Sequence, residues 1–242
     1  MSSAAILIPA RWASTRFPGK PLAMIAGISL IQRVVEGASK SRRAKSVVVA
    51  TDDERIAEHV RAFGGRVVLP RGEFHSGTDR IAAALDLLDE DFDQVVNVQG
   101  DEPLIDAGAI DRVIETLETT GADMATLSCA LESDEERRSP DIVKVVSALD
   151  GTALYFSRAP LAGAERHVGL YGYQTSVLRA LASLPPSPLE RAESLEQLRA
   201  LQNGFKIRVL QTSRPHLGVD RPEDVLRVEE QLANMADREA NS

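Results

Sequence analysis

Cysteine is almost absent from this chain. Cys129 stands alone among 242 residues, so no intrachain disulfide can form and a bridge-stapled scaffold is excluded. Long apolar runs are missing too. The longest, such as Ala4–Ala10, fall far short of the roughly 20 residues that cross a bilayer. No basic segment followed by a long apolar one opens the chain, which sets the expectation of a cytoplasmic protein. Positive charge is not in excess either: the net charge is −8 and the isoelectric point about 5.1. That balance speaks against nucleic acid or a membrane surface as a partner, since both attract a basic face. It leaves room for a small anionic substrate, which a local basic cluster can hold.

What is there is an ordinary globular composition, 43% apolar and 26% charged. No Gly-, Ser- or Pro-rich linker divides the chain and no repeat recurs, so residues 1–242 read as a single domain. The first half alternates β-branched runs with amphipathic segments. Ala5–Pro9, Ser46–Ala50, Val67–Leu69 and Gln94–Val98 read as strands. Leu30–Ala38, a segment opened by a Thr51/Glu54 capping box and running to Phe63, Thr78–Leu88, and a segment from Asp106 to Thr119 read as helices. Alternation of this kind predicts an α/β fold, a mostly parallel sheet with helices on both faces. The second half is β-rich over about 124–173, where Met124–Ala130, Ile142–Ala148, Ala153–Ser157 and Arg166–Tyr173 suggest hairpins added to that sheet. Ser187-Pro188-Leu189-Glu190 is a second capping box, opening a helix to about Asn203. Lys206–Leu210 reads as a strand, and a last helix runs from Pro222 to about Met235.

Ligands of open α/β sheets bind beyond the carboxyl ends of the strands, so the chemistry is sought there. After the first strand comes Arg11-Trp12-Ala13-Ser14-Thr15-Arg16-Phe17-Pro18-Gly19-Lys20. It lacks P-loop spacing, but its arginines, lysine, glycine and hydroxyls suit a polyphosphate; a solvated basic loop accounts for it equally well. After the fourth strand, Gln99-Gly100-Asp101-Glu102-Pro103 offers a carboxylate for Mg²⁺, or merely a turn or cap. Asp220 precedes the last helix. If Pro222 is the first helical residue, the cap falls on Arg221 and Asp220 is free for other work. His75-Ser76-Gly77-Thr78-Asp79-Arg80 could contact a base or ribose, or cap the next helix through Ser76 or Thr78. Period-two spacing puts His167, Gly169, Tyr171 and Tyr173 on one strand face, a floor for a hydroxylated ligand or else an exposed or dimer surface. Arg158 could grip a carboxylate as a fork. Glu196-Gln197 reads first as an exposed mid-helix pair, with Glu196 near Arg199.

Taken in order, these loops resemble the 3-deoxy-manno-octulosonate (Kdo) cytidylyltransferase family. The matching stretches include Ile8-Pro9-Ala10-Arg11, Ala13-Ser14-Thr15-Arg16, Pro18-Gly19-Lys20-Pro21-Leu22, Ser76-Gly77-Thr78 and Asn97-Val98-Gln99-Gly100-Asp101-Glu102-Pro103. Further on they include Ala153-Leu154-Tyr155-Phe156-Ser157-Arg158, His167-Val168-Gly169-Leu170-Tyr171, Leu195-Glu196-Gln197-Leu198-Arg199 and Gly218-Val219-Asp220. The resemblance runs from Ile6 to about Val228. It implies a three-layer α/β/α, Rossmann-like nucleotidyltransferase (glycosyltransferase-A-like) fold. It also implies a homodimer and a Mg²⁺-dependent reaction in which CTP and Kdo give CMP-Kdo and pyrophosphate for lipopolysaccharide synthesis. By the same resemblance, Arg11, Arg16 and Lys20 would hold the triphosphate, and Arg71, Ser76 and Gln99 would lie near the cytidine. Asp101 and Asp220 would bind Mg²⁺, with Lys20 beside them in the chemistry. Arg158, His167, Tyr171, Glu196 and Gln197 would contact the sugar acid. Two departures stand out: Leu161–Arg166 is shorter than the segment usual in the family, which often carries a Pro-Trp, and Arg221 replaces the threonine common before Pro222. A cytidylyltransferase for another acidic sugar (a sialic acid or an amino analogue of Kdo) and a non-catalytic nucleotide-binding protein are the rival expectations.

Overall fold

The structure, a computed structural model, describes residues 3–240 apart from 14, 15, 73, 75 and 214, with the side chains of 236–240 left out. The chain opens with β1 (Ala4–Ala10), whose alternate residues serve two different cores. Ala4, Ile6, Ile8 and Ala10 pack on one side of the sheet and Ala5 and Leu7 on the other, all nearly inaccessible. A two-residue hairpin, β2 (Met24–Ile25) and β3 (Ile28–Ser29), turns on Ala26 and Gly27, both at positive φ. Ser29 then caps α1 (Leu30–Ala38). β4 (Ala44–Thr51) leads to α2 (Glu54–Ala62), and β5 (Arg66–Val68) to α3 (Gly77–Leu85), capped by Ser76. β6 (Gln94–Asn97) is followed by α4 (Ala107–Thr120), capped by Asp106.

Then come β7 (Met124–Cys129), α5 (Asp134–Arg138), β8 (Lys144–Ser147), β9 (Ala153–Ser157) and β10 (Glu165–Gln174). The chain ends with α6 (Thr175–Ser183), α7 (Pro188–Glu193), α8 (Gln197–Gln202), β11 (Ile207–Gln211) and α9 (Pro222–Ala240). The main sheet runs β11-β7-β10-β6-β1-β4-β5, with β8 and β9 added beside β10. Every pairing along this path is parallel except those of β10, which lies antiparallel between β6 and β7. Helices cover both faces, so the expected three-layer α/β/α fold is what the chain adopts.

Three details differ from the sequence reading. Only β8 and β9 form an added hairpin; β7 and β10 are interior strands of the main sheet. Thr51 ends β4 rather than capping α2. Its hydroxyl accepts from the Asp53 amide, and Asp53 caps the helix by accepting from the Arg55 amide. The helix from Ser187 stops at Ser194, whose φ of 54 is left-handed, so two short helices stand where one was expected.

Because β10 is antiparallel, its first half extends beyond the end of β6: Tyr171 is the residue paired with Asn97. His167 and Gly169 are thereby delivered to the edge where β1, β4 and β6 end.

Candidate active site

The basic loop after β1 closes on itself before it reaches Lys20. Gly19, at φ 70, donates its amide to the Trp12 carbonyl at 3.2 Å. A Cβ at Gly19 would lie 3.0 Å from the Trp12 ring. The Arg55 guanidinium stacks on the same ring, 3.4 Å from its centroid. The turn aims Lys20 at the ends of two distant loops. Its Nζ donates to Asp101 Oδ2 at 2.7 Å and to Asp220 Oδ1 at 3.4 Å, and Arg16 Nη2 reaches the same Asp220 oxygen at 3.2 Å.

Each carboxylate is placed by its own local chemistry. Gly100 precedes Asp101 where a Cβ would sit 2.6 Å from the Pro9 carbonyl oxygen, so only glycine allows this approach to β1. The Val219 amide donates to the Asp101 carbonyl at 2.8 Å, joining the two loops. Glu102 and His216, both buried, add a second link, Nδ1 to Oε2 at 2.6 Å. Burial raises the Glu102 carboxyl above its ordinary range. At His216 burial opposes the charged ring, but the Glu102 hydrogen bond and the charges of Glu102 and Asp106 together outweigh it and the pKa is raised. Asp224, in the first turn of α9, reaches back to accept from the Asp220 and Arg221 amides, each at 2.9 Å, and fixes the entry to the helix. The Asp220 side chain is therefore free to face Lys20.

Two cavities meet at this point. One, of about 320 Å³, is lined by Arg11, Arg16, Lys20, Ser76 and Asp101. The other, of about 500 Å³, is lined by Arg158, His167, Tyr171, Tyr173 and Gln197. Gly77, Gln99, Glu196 and Asp220 belong to both walls. In the larger cavity Arg158 is held by Glu193 and the Pro140 carbonyl: its amide donates to Glu193 Oε2, Nε to the Glu193 carbonyl and Nη1 to the Pro140 carbonyl. Lys144, fully buried in β8, donates to the carbonyls of Ser139 and Arg158 and so pins the strand end that carries this arginine. Burial lowers its ammonium pKa. Burial also pushes the His167 imidazole down to about 3 and the Tyr171 phenol well up, so both rings are neutral. Asn97 Oδ1 and Gln197 Nε2 are buried without a partner among the described residues, an acceptor and a donor on one cavity wall. Such groups are costly unless a ligand or water satisfies them.

Comparison with known proteins decides the family. Residues 5–207 match the family model described as Cytidylyltransferase. The 3-deoxy-manno-octulosonate cytidylyltransferase of Syntrophotalea carbinolica is 48% identical over 95% of this chain and 98% of its own. That of Anaeromyxobacter sp. is 47% identical over 96% and 98%. A solved structure of CMP:2-keto-3-deoxy-manno-octonic acid synthetase complexed with CTP superposes with a TM-score of 0.91 at 38% identity, covering 97% of this chain and all of that one. The chain belongs to the 3-deoxy-manno-octulosonate cytidylyltransferase family.

Against the residues that the resemblance pointed to, the geometry of this cytidylyltransferase divides cleanly. Arg11, Arg16, Lys20, Ser76, Gln99, Asp101 and Asp220 surround the smaller cavity. Arg158, His167, Tyr171, Glu196 and Gln197 line the larger one. Arg71 is exposed and lines neither. His75, Ser14 and Thr15 lie outside the described residues. Glu196 is not paired with Arg199 in the way its i,i+3 spacing suggests. Its Oε2 accepts from Thr78 Oγ1 at 2.5 Å, while Arg199 forms a two-point pair with Glu190 at 2.6 and 2.8 Å.

Sequence reasoning included Arg80 in the stretch after the third expected strand but gave it no role of its own; it lines the smaller cavity, donates to Asp52 at 2.8 Å and keeps a buried Nη1 without a described partner. Sequence reasoning passed over Lys144, whose signal was a lysine inside the run Ile142-Val143-Lys144-Val145-Val146.

Proposed function

We propose that this chain transfers CMP from CTP to the anomeric hydroxyl of Kdo, releasing pyrophosphate, and that it supplies CMP-Kdo to lipopolysaccharide synthesis. The observation that carries the reading is the shared wall: a cavity lined by Arg11, Arg16 and Lys20 and a second, polar cavity carrying Arg158 meet where Asp101 and Asp220 converge on Lys20. The smaller cavity suits a nucleoside triphosphate. Arg11, Arg16 and Lys20 would offset its charge, with Ser76 and Gln99 toward the nucleoside. The larger suits the sugar acid, with Arg158 taking the carboxylate and His167, Tyr171, Glu196 and Gln197 taking hydroxyls.

Asp101 and Asp220 fit a divalent cation. Both already face one positive group, the Lys20 ammonium at 2.7 and 3.4 Å, and Mg²⁺ favours one or two carboxylates completed by phosphate oxygens and water. When bound there, Mg²⁺ supplies neutralisation of the triphosphate charge and a lowered pKa for the attacking hydroxyl. The protein's own part is positioning. The sugar hydroxyl attacks the α-phosphorus in line, the bond to the bridging oxygen breaks and pyrophosphate leaves with its charge offset by Lys20 and the arginines. Transfers of this class depend on orientation and electrostatics rather than on a covalent protein intermediate.

A homodimer working in the cytoplasm completes the proposal; no helix among the described residues is long and apolar enough to cross a membrane. The test is pyrophosphate release with each nucleoside triphosphate across a panel of acidic sugars. Turnover confined to CTP with Kdo is the expected result. Preference for a sialic acid or an amino analogue would reassign the sugar, and no turnover with any pair would overturn the reading.

A further inference from the structure

Strand β10 carries a bulge beside the larger cavity. Its pairing with β7 passes from Val168↔Leu127 directly to Tyr171↔Thr126, leaving Gly169 and Leu170 as extra residues. Bulges of this kind re-aim side chains near functional sites. An even number of extra residues preserves the alternation of faces, so His167 and Tyr171 still share a face, their ring centroids 5.4 Å apart. The bulge turns two carbonyls toward the side chain of Thr126, which is fully buried. Thr126 Oγ1 lies 2.9 Å from the Leu170 carbonyl oxygen and 3.3 Å from that of Val168. It also lies 2.9 Å from His167 Nε2.

Donor counting fixes the protons. A carbonyl cannot donate and a hydroxyl has one hydrogen. With two carbonyl oxygens against it, the Thr126 hydroxyl must give its hydrogen to them, and it accepts from His167. We infer that Thr126 is a positioning residue that holds His167 in its Nε2–H tautomer, so that Nδ1 is presented to the cavity as a hydrogen-bond acceptor for a hydroxyl of the sugar acid. The inference rests on the larger cavity being the sugar site. His167 lines that cavity, and its Nδ1 bonds to no described residue. The low pKa of the ring accords with this, since a neutral imidazole is what the hydroxyl sees. The Phe156 ring, edge-on at 5.1 Å, offers no second proton partner. His167 and Arg158 then have opposite duties: Arg158 donates to the substrate's carboxylate, and His167 accepts from a neutral hydroxyl. A sugar acid lacking that hydroxyl, or carrying a methyl ether there, loses the bond.

The test joins a spectroscopic reading to kinetics. In ¹⁵N-histidine-labelled protein without substrate, two-bond ¹⁵N–¹H correlations should show His167 as the Nε2–H tautomer. In Thr126→Val, which removes the hydroxyl at nearly constant volume, that signature should shift toward Nδ1–H. The KM for Kdo should rise about tenfold, the loss of one hydrogen bond, with the KM for CTP unchanged. Thr126→Ser should restore both. An Nδ1–H or charged His167 in the wild type overturns the inference, as does a Val variant with unaltered tautomer and sugar KM. If the Val variant does not fold, the wild-type tautomer and the Ser variant still decide. If the protein turns over no sugar acid, the reading of the cavity fails while the tautomer result stands by itself.

Discussion

Glu102 and His216 clasp each other at 2.6 Å across the two loops that present Asp101 and Asp220. Both side chains are nearly inaccessible, 11% and 8% exposed, so their bond is not diluted by water. It acts with the Val219–Asp101 backbone bond to fix one carboxylate relative to the other. Truncation to His216→Ala leaves a buried carboxyl without its partner. Removing one member of a buried pair costs about 3 kcal/mol or more, and the urea midpoint should fall accordingly. An unchanged midpoint would mean that the clasp holds nothing.

Asp101→Asn and Asp220→Asn keep the shape of each side chain and remove the charge facing Lys20. With saturating CTP, Kdo and Mg²⁺, pyrophosphate release should drop by about a hundredfold or more for Asp101→Asn, the scale of losing a preorganised electrostatic contact. The second readout is Mn²⁺ binding followed by electron paramagnetic resonance, which should weaken in both variants. Rates and affinities close to wild type would remove these carboxylates from the metal role. Chelation with EDTA should abolish turnover, and added Mg²⁺ should restore it.

Arg158→Ala removes a cation that follows β9 on the wall of the larger cavity. A charge-assisted bond is worth about 1.5–3 kcal/mol, so the KM for Kdo should rise by about 10- to 100-fold. CTP binding, measured by calorimetry without sugar, should persist, because Arg158 does not line the smaller cavity. A loss of CTP affinity equal to the loss for sugar would show that the two cavities are not separate sites.

The pH dependence of stability carries a sign for His167. Burial holds its folded pKa near 3, below the ordinary 6.5. Between those values the unfolded chain binds a proton that the folded chain does not, so the contribution of this residue is present above pH 6.5 and is lost as pH falls toward 3. The stability difference between wild type and His167→Asn should therefore shrink on acidification from pH 7 to pH 4, read by urea unfolding at each pH. A difference that grows instead would mean that the ring is charged in the fold.

How much of this was legible before folding depends on the range of the forces involved. Ile6, Ile8 and Leu7 announce a doubly covered strand because alternation and β-branching are local. Asp101 and Asp220 were not separable from turn or cap residues by local chemistry alone: a glycine before one and a proline after the other allowed a metal role, and the ordered resemblance of the loops singled them out. The interior place of β10 was not legible. Nothing local in Glu165–Gln174 says that it runs antiparallel between β6 and β7. Helix α6 was missed because its cap position, Gln174, makes no side-chain capping bond. Thr126 reads as one more β-branched strand residue, and only the bulge on its partner strand gives its hydroxyl a task.

Gly100→Ala and Gly172→Ala separate packing from placement. At Gly172 a new methyl would lie 2.4 Å from Val113 Cγ1 and 2.9 Å from Leu117 Cδ1, both side-chain atoms of α4. The helix can yield, at an overpacking cost of about 1–3 kcal/mol, and neither cavity is lined by these residues. The thermal midpoint should fall while the KM values of the folded enzyme stay put. At Gly100 the methyl would meet the Pro9 carbonyl oxygen at 2.6 Å. That oxygen is backbone at the end of β1, held in register with β4, so it cannot swing aside as a side chain does. Relief must come from the Gly100–Asp101 segment, which moves Asp101 away from Lys20. Here turnover should fall by about a hundredfold, because small displacements of a positioned group are costly in rate, while the midpoint falls no further than for Gly172→Ala. Equal kinetic effects in the two variants would show that the approach of this loop to β1 does not place the carboxylate.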